Sequence, residues 1–335
     1  KECNCPAGRN RCKECKERYT NMVDVTALGE VLIDFTPYGT SEGGQALFEQ
    51  NPGGAPANVL AAIARLGGTA AFIGKVGDDM HGKLLKETLE KEGIDVTGLI
   101  EDPDYFTTLA FVALKNGERS FSFARKPGAD TQLRKEEIPM EVIQNTKIFH
   151  CGSLSLTDEP ARSATMYAVE EAKKAGALIS YDPNYRPLLW KNEEEAKKYM
   201  RSMIPYADIM KISDEETALL TDHEDPKEAA EVLLSQGVGC VVVTLGKDGA
   251  LLKTGQIEVQ EKGRECKVVD TTGAGDSFWG GLLYQFAQND EKPETLTEEN
   301  ARVYVRFANA VAGLCVERRG AIPAMPNLEE VLKQL

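Results

Sequence analysis

The sequence predicts an α/β fold of three layers, α/β/α, with a mostly parallel central sheet and a small second sheet. From residue 22 onward, short apolar runs alternate with amphipathic segments of helical length. Strands that are joined by helices pair in parallel, because each connection crosses a face of the sheet. Segments 32–54 and 107–128 lack helical period and contain glycine-rich turns. We expect these two segments to form the second sheet, a lid over the ends of the central strands.

The individual elements are predicted from hydrophobic period and end signals. Strands are expected at 23–29, 70–77, 148–152, 177–183, 207–213 and 240–246, where apolar and β-branched residues run together. Helices are expected at 57–67, 81–93 and 161–176, each with apolar residues at helical spacing and a glycine at its end. Within 107–128 the pair Asn116-Gly117 is typical of a hairpin turn.

Length and charge limit the classes of function. The chain has 335 residues, of which 42% are hydrophobic, enough for one large domain. We assign this domain to residues 22–335, with lid segments at about 35–51 and 105–128. The 53 acidic and 39 basic residues give a net charge of −14, which argues against binding nucleic acid or an anionic membrane. No apolar run approaches the ~20 residues of a membrane span, and we expect a cytoplasmic protein.

The cysteines fall into two groups. Four of them, Cys3, Cys5, Cys12 and Cys15, crowd the first residues, and the other four are scattered singly. Four thiolates at such spacing can close a zinc site. The surrounding segment 1–21 has almost no apolar residues to pack around a metal, so we expect a tail or a non-native extension instead. The scattered cysteines are typical of reduced, buried thiols in a cytosolic protein.

The stretch VVDTTGAGDSFWGG, residues 268–281, has the strongest chemical signal. Gly273, Ala274 and Gly275 leave their backbone N–H groups uncovered at a predicted helix start, where the helix dipole favours an anion. Asp276 follows directly, and a carboxylate there is also common as a simple helix-favouring residue. It would, however, repel the anion that such a hole binds. The arrangement better suits a base that takes a proton from a hydroxyl while the N–H groups hold a phosphoryl group.

Two other motifs lack a required residue. GDDMHGKL at 77–84 resembles a phosphate-binding loop, but Leu84 stands where the magnesium-binding hydroxyl is needed. GAGDSF places Phe278 at the third glycine of a dinucleotide fingerprint. These departures disfavour an oxidoreductase that transfers hydride.

DTTGAGDSFWGG resembles the C-terminal signature of the ribokinase-like (PfkB-type) sugar kinases, and PGGAPANVLAAIARLGG at 52–68 resembles their N-terminal signature. YDPNYRPLLW, KISDEE and TLGKDGA lie between them in the order of that family. The resemblance extends from Met22 to the end of the chain, and several motifs are closest to those of fructokinases. It implies a ribokinase-like fold with a β-sheet lid, and phosphotransfer from ATP to an alcohol group.

The resemblance implies roles for residues around the sugar. Asp276 would be the catalytic base, and the amides of Gly273, Ala274 and Gly275 would stabilise the transferred phosphoryl group. The implied sugar-binding residues are Asp34, Gly53, Gly54, Asn58, Arg125 and Arg186. Asp34 is expected to end the first strand and to accept two sugar hydroxyls. The glycine pair is alternatively only a turn before a helix, and Arg125 is alternatively a solvated strand residue.

The resemblance also implies a nucleotide site and two cation sites. The implied nucleotide-binding residues are Asn184, Lys211, Thr244, Gly246, Gly249 and Asn309, of which Gly246 and Gly249 are alternatively hairpin glycines. Glu216 matches the magnesium-linked glutamate of the family, although Ser213 replaces the asparagine of that motif. Asp270, Thr272 and the Arg-Gly-Ala at 319–321, which contains Gly320, resemble a potassium-binding loop. ATP and Mg²⁺ are therefore the implied cofactors, with K⁺ as a further candidate.

The function predicted from these motifs is phosphorylation of D-fructose at its 6-hydroxyl. A 2-keto-3-deoxygluconate kinase is an alternative, because Arg125 and Arg186 could meet an acidic sugar. A ribokinase is disfavoured by Leu32, where ribokinases tend to have a polar residue. A sugar-sensing homologue without chemistry is the alternative outside the enzymes. The resemblance is also compatible with a homodimer that pairs through its lids, with a monomer as the alternative.

Overall fold

The structure is a computed structural model that describes residues 22–115 and 118–335, and no side chain of residues 113–121. The residues Cys3, Cys5, Cys12 and Cys15 and the turn Asn116-Gly117 lie outside the described residues. The strands are β1 (Val23–Leu28), β2 (Leu32–Thr40), β3 (Ala46–Gly53), β4 (Ala70–Gly77), β5 (Asp95–Asp102), β6 (Leu109–Lys115), β7 (Glu118–Ala124), β8 (Thr146–Cys151), β9 (Leu178–Tyr181), β10 (Ile209–Ser213), β11 (Cys240–Thr244), β12 (Ala250–Thr254) and β13 (Glu258–Glu261).

Helices connect most of these strands. The α-helices are α1 (Ala55–Arg65), α2 (Met80–Lys91), α3 (Met140–Gln144), α4 (Ala161–Ala175), α5 (Glu193–Ser202), α6 (Thr217–Thr221), α7 (Pro226–Ser235), α8 (Ala274–Gln288), α9 (Glu298–Cys315) and α10 (Leu328–Leu332). Each of the predicted strands and helices is found, with ends that shift by a few residues. No helix among the described residues is both long enough and apolar enough to span a membrane.

The large sheet has nine strands in the order β13-β12-β11-β10-β9-β8-β1-β4-β5. From β11 to β5 all neighbours pair in parallel, and β12 and β13 add an antiparallel edge. Successive side chains of a strand point to opposite faces. In β11, Val242 packs into one apolar cluster with α1, α8 and α9, whereas Val241 and Val243 pack into another with α4, α5 and α7. Helices therefore cover both faces, and the predicted three-layer α/β fold is confirmed.

The second sheet has four strands in the order β3-β2-β6-β7. It occupies the two segments that lack helical period, and β2 pairs antiparallel with β3 and parallel with β6. In β2, Leu32, Asp34 and Thr36 point to one face of this sheet. Phe35 points to the other face, where its ring stacks on that of Phe111 with centroids 5.1 Å apart. The predicted small second sheet is thus present beside the main domain.

Candidate active site

A cavity of about 750 Å³ lies between the second sheet and the carboxyl ends of the central strands. In parallel sheets this edge is where ligands bind. Residues predicted from the sequence contribute much of its lining: Asp34, Gly54, Asn58, Asn184, Arg186, Lys211, Asp270, Thr272, Gly273, Ala274, Gly275 and Asp276. The cavity therefore joins residues from the two family-like signatures and from the segments between them.

A close contact between two helices positions the centre of this site. Gly280 on α8 lies so near to α1 that a Cβ atom there would be 2.6 Å from the Cβ of Ala62 and 2.8 Å from the carbonyl oxygen of Val59. Only glycine allows this approach. It brings the neighbouring side chains together, and the Asn58 Nδ2 donates to Asp276 Oδ2 at 2.8 Å. Gly280 thus has a structural role, which is to place Asp276 against α1.

The Asp276 carboxylate faces the cavity from the first turn of α8 and is 8% exposed. Asn184 Nδ2 donates to its Oδ1 at 3.3 Å, so side-chain amides approach both carboxylate oxygens. Burial raises the pKa of Asp276 above its ordinary value, opposed by the hydrogen bond from Asn58; Asp182 also raises this pKa, and Lys211 lowers it. A raised pKa makes the ionised carboxylate a stronger proton acceptor.

The turn before α8 exposes backbone donors beside this carboxylate. Gly273 precedes the helix in the left-handed region, with φ of 75°. The Ala274 N–H donates to Thr271 O at 3.2 Å, whereas the N–H groups of Gly273 and Gly275 have no partner within the described part of the chain. Two of the three amides are thus open to a ligand, and the third closes the turn. The Lys211 Nζ lies about 3.5 Å from the position that a Cβ of Gly275 would occupy, which adds positive charge at this point.

Lys211 is itself held by a buried partner that the sequence analysis did not identify. Its Nζ donates to Asp182 Oδ2 at 2.7 Å, and both side chains are almost fully buried. Burial alone would lower the pKa of Lys211, but Asp182 and Glu216 raise it, so the ammonium stays charged. The signal for Asp182 was its position as the first residue of the DPN motif, directly after the buried strand β9.

Asp34 faces the cavity from the second sheet. The prediction that it ends the first strand is wrong: β1 ends at Leu28, the chain turns, and Asp34 lies within β2 opposite Asn51. Burial raises the pKa of Asp34 to about 6; Arg186 lowers it, and Asp276 raises it. Gly53 ends β3, and a Cβ atom there would be 2.7 Å from Asp34 Oδ2, so this glycine makes room for the carboxylate.

The two predicted arginines differ in their surroundings. Arg186 is exposed and lines the cavity. Arg125 is buried and does not line it, so the alternative of a solvated strand residue is wrong. Its Nε donates to Asp130 Oδ2 at 2.8 Å, and its other nitrogens donate to Thr157 Oγ1 and Leu154 O, each at 2.9 Å. Arg125 therefore connects the end of β7 to the main domain.

Four of the predicted nucleotide-binding residues gather at the β11 to β13 edge of the large sheet. Thr244 ends β11, and Gly246 and Gly249 form the hairpin turn into β12. Asn309 on α9 donates through Nδ2 to Glu261 O at 3.3 Å and to Lys262 O at 3.0 Å, just after β13. The structure brings these residues to one end of the sheet but not into the cavity lining, where Asn184 and Lys211 lie.

The predicted cation residues stand in two places. Glu216 is buried and accepts hydrogen bonds from Tyr185 N at 2.7 Å and from Ser213 N at 2.8 Å, outside the cavity lining. Asp270 Oδ1 accepts from Thr272 Oγ1 at 2.7 Å, and its Oδ2 accepts from Gly320 N at 3.2 Å. Asp270 thus connects the turn before α8 to the segment after α9. No group of three or more His, Cys, Asp or Glu residues in the described ranges has the geometry of a metal site.

Glu30 and Arg319 also line the cavity. Glu30 lines it from the turn between β1 and β2, and the signal was its spacing of two from Leu32 and four from Asp34. Arg319 lines it from the segment after α9 and donates to Glu49 Oε2 on β3 at 3.0 Å. Arg319 directly precedes Gly320 and belongs to the Arg-Gly-Ala segment that was predicted as part of the potassium-binding loop.

Comparisons with known proteins agree with this geometry. Residues 22–328 match the model of the pfkB family carbohydrate kinases. A probable fructokinase-2 of Arabidopsis thaliana is 45% identical over 318 residues, which cover 93% of this chain and 95% of the relative. The crystal structure of a fructokinase with bound ATP from Xylella fastidiosa matches with a TM-score of 0.87 and 36% identity, over 92% of this chain and 97% of that one.

A second solved structure is similar over a comparable length. It is a double mutant of the fructokinase from Vibrio cholerae O395 in a form with bound fructose, ADP and potassium ion. It matches with a TM-score of 0.85 and 35% identity, over 93% of this chain and 98% of that one. The resemblance noted from the signatures is therefore confirmed: the chain belongs to the pfkB family of carbohydrate kinases.

Proposed function

We propose that the protein is an ATP-dependent fructokinase that transfers the γ-phosphoryl group of ATP to the 6-hydroxyl of D-fructose. The observation that carries the proposal is the buried Asp276 carboxylate, which stands beside the open amides of Gly273 and Gly275 and faces the same cavity as Asp34. The names of the relatives and the ligands of the two solved structures support the choice of sugar and donor.

In this proposal the proton moves from the sugar hydroxyl to Asp276 as the oxygen attacks the γ-phosphorus. The bond between that phosphorus and the bridging oxygen of ADP breaks, and ADP leaves with the negative charge. The Gly273 and Gly275 amides and the Lys211 ammonium stabilise charge on the transferred group. Asn58 holds the base through Nδ2, and its buried Oδ1 lacks a partner within the described residues. That oxygen is free to accept a hydrogen bond from a sugar hydroxyl.

The remaining predicted residues receive supporting roles. We place the adenosine part of ATP towards Thr244, Gly246, Gly249 and Asn309, and the phosphates towards Asn184 and Lys211. Both oxygens of Glu216 already accept hydrogen bonds from neighbouring N–H groups. Since Mg²⁺ keeps several of its waters, Glu216 fits a role in holding those waters better than direct coordination. Magnesium would neutralise charge on the phosphates.

The loop of Asp270, Thr272 and Gly320 fits a monovalent cation such as K⁺. Its hydrogen bonds hold the segment after α9 against the turn that presents the amides. A cation bound there would stabilise the same turn. We expect turnover in potassium to exceed turnover in an equal concentration of tetramethylammonium, and equal rates would contradict this assignment.

The second sheet is proposed to act as a lid and as a dimer contact. Closure over the cavity would exclude water, which competes as a phosphoryl acceptor. The face of this sheet away from the cavity exposes two aromatic side chains in contact with each other, Phe48 at 46% and Phe111 at 38%. A second copy of the chain could cover them, and analytical ultracentrifugation would reveal the dimer.

The free cysteines Cys151, Cys240, Cys266 and Cys315 support a cytoplasmic location.

Turnover of ATP with D-fructose, 2-keto-3-deoxygluconate, D-ribose, D-glucose and adenosine tests the substrate. We expect D-fructose to give the highest kcat/KM. Of the two arginines that were expected to meet an acidic sugar, Arg125 already binds Asp130 and does not line the cavity, so only Arg186 could serve. Leu32 lines the cavity and offers no hydrogen bond to ribose. A clear preference for another sugar would contradict the proposed substrate, and no turnover with any of them would favour a sensing protein.

A further inference from the structure

Glu30 is a cavity residue to which the proposed mechanism gives no part. It lies in the turn between β1 and β2, two residues before Leu32 and four before Asp34. All three line the cavity. Glu30 is therefore in the wall that also presents Asp34.

The Glu30 carboxyl group has one oxygen in use and one without a partner. Its Oε1 accepts a hydrogen bond from the Ala55 N–H at 2.9 Å, where α1 begins. Its Oε2 is buried and has no hydrogen-bond partner among the residues that the structure describes. Glu30 as a whole is only 3% exposed. Buried polar atoms in folded proteins almost always have partners, so an unpaired carboxyl oxygen in a cavity wall points to a ligand.

The neighbouring charges do not supply that partner. The cation that influences the Glu30 carboxyl group is Arg125, which donates its own hydrogen bonds to Asp130, Thr157 and Leu154. Burial raises the pKa of Glu30 to about 7, Asp130 contributes in the same direction, and Arg125 opposes them. Near neutral pH the group can therefore either accept or donate a hydrogen bond. A sugar hydroxyl can do both, which makes it a suitable partner.

The position of Glu30 indicates which part of the sugar it would reach. Ala55, which Glu30 contacts, lies one helical turn before Asn58 on α1, and Asn58 contacts Asp276. The cavity wall thus runs from the base, past Asn58, to Glu30. We infer that a sugar with its reacting hydroxyl at Asp276 would extend along this wall towards Glu30. For fructofuranose that reacts at O6, the end towards Glu30 bears the 1-hydroxyl and the anomeric 2-hydroxyl.

We propose that Glu30 is a sugar-binding residue whose unpaired carboxyl oxygen forms a hydrogen bond with the 1-hydroxyl or the 2-hydroxyl of fructose. The inference rests on the proposed fructokinase activity and deepens it. Asp34 and Asn58 would then hold the middle of the ring, and Glu30 would select for hydroxyls at the far end.

The test combines a substitution of Glu30 with sugars that lack the 1-hydroxyl or the 2-hydroxyl. The wild type and the variant Glu30→Met are assayed with D-fructose, with 1-deoxy-D-fructose and with 2,5-anhydro-D-mannitol, which lacks the anomeric hydroxyl. Loss of a hydrogen bond to a buried polar group costs about 10- to 100-fold in kcat/KM. We expect this loss for D-fructose, mainly through KM, and a loss below about threefold for the analogue that lacks the bonded hydroxyl. The identity of that analogue distinguishes the two hydroxyls.

A second variant covers the case in which Glu30→Met fails to fold. Glu30→Gln keeps an oxygen for the Ala55 N–H and changes the unpaired oxygen to an NH₂ group. Glu291→Gln is the matched control, because Glu291 is a buried glutamate beyond the far end of α8. We expect the control to leave the preference among the three sugars unchanged.

Two results would overturn the inference. Equal losses for all three sugars would show that Glu30 positions the turn and α1 without binding sugar. An unchanged KM for D-fructose would show that the carboxyl group does not bind this substrate at all. The wild type is assayed on D-fructose before any variant is compared. A lack of activity there would contradict the proposed function itself and not the role of Glu30.

Discussion

Replacing the base with its amide isostere, Asp276→Asn, tests the central assignment of the site. Removal of a general base typically costs about 10²–10⁴-fold in rate, which corresponds to about 2.7–5.5 kcal/mol of activation free energy. The structure indicates that binding will survive the change. Asn58 donates to one carboxylate oxygen at 2.8 Å and Asn184 to the other at 3.3 Å. The new oxygen keeps the shorter bond, and Asn184 can rotate its amide to accept from the new NH₂ group.

The same geometry predicts the effect of Asp276→Asn on stability. Burial raises the pKa of Asp276 in the folded protein, so the ionised form disfavours folding at neutral pH. An uncharged amide removes this cost, and we expect a Tm that is unchanged or higher. The assay is fructose-dependent ADP formation, together with thermal unfolding and the KM of each substrate. We expect kcat to fall by about 10²–10⁴-fold and each KM to change by less than about threefold.

The control for this experiment is Asp24→Asn. Asp24 is also a buried carboxylate, but it lies at the start of β1, at the opposite end of the sheet, where it accepts from the Thr69 N–H and pairs with Lys147. We expect lower stability and nearly full activity. Two results would refute the assignment of the base. One is full activity of Asp276→Asn, and the other is an equal loss of activity in both variants.

Three further predictions concern Asp34, the Arg125 pair and the contact between α1 and α8. Burial raises the pKa of Asp34 to about 6 from an ordinary 3.8, so kcat/KM for fructose should rise as the pH increases through about 6. The contribution of Asp34 to the free energy of unfolding should decrease between about pH 4 and 6, because the folded protein binds this proton more tightly than the unfolded chain does. A flat profile of kcat/KM against pH would contradict this prediction. Asp130→Ala leaves the Arg125 charge buried without its partner, so it should lower the free energy of unfolding, measured in urea, by about 3–5 kcal/mol. The control Asp158→Ala removes an exposed carboxylate and should lower it by at most about 1 kcal/mol. Gly280→Ala should lower the free energy of unfolding by about 1–3 kcal/mol and also lower kcat, because the added methyl group would collide with α1. The control Gly255→Ala places its methyl group in open space and should change neither quantity. Equal effects of the two variants would refute the packing argument.

Local patterns in the sequence predicted the parallel part of the fold. Buried strands such as β1 and β11 are short apolar runs, and the helices between them have amphipathic period. The edge strands β5 and β13 were not predicted, and neither was β12, which lies between β11 and β13. In β13 the sequence EVQE buries only Val259 well, because the strand has a neighbour on one side only. Such strands differ little from polar loops in a single sequence.

Tertiary contacts explain the errors at the site. The run VDVTALGEVLIDF is apolar enough for one long strand, yet the chain turns after Leu28 because Glu30 is held by the Ala55 N–H, 25 residues further on. Asp34 consequently belongs to the second sheet. The burial of Arg125 likewise depends on Asp130, Thr157 and Leu154, which only the folded chain brings together. Sequence spacing alone does not indicate these partners.

The two family signatures act as one structural unit, and this has a consequence for how the base is positioned. Asn58 and Asp276 are 218 residues apart in sequence, yet they share a hydrogen bond because Gly280 packs against Val59 one helical turn away. The distance between base and partner is therefore set by apolar packing in the core, not by the loop that contains GAGD. Since packed interiors shift in response to a single added methyl group, substitutions on the buried side of α1 should alter kcat at sites that never contact a substrate.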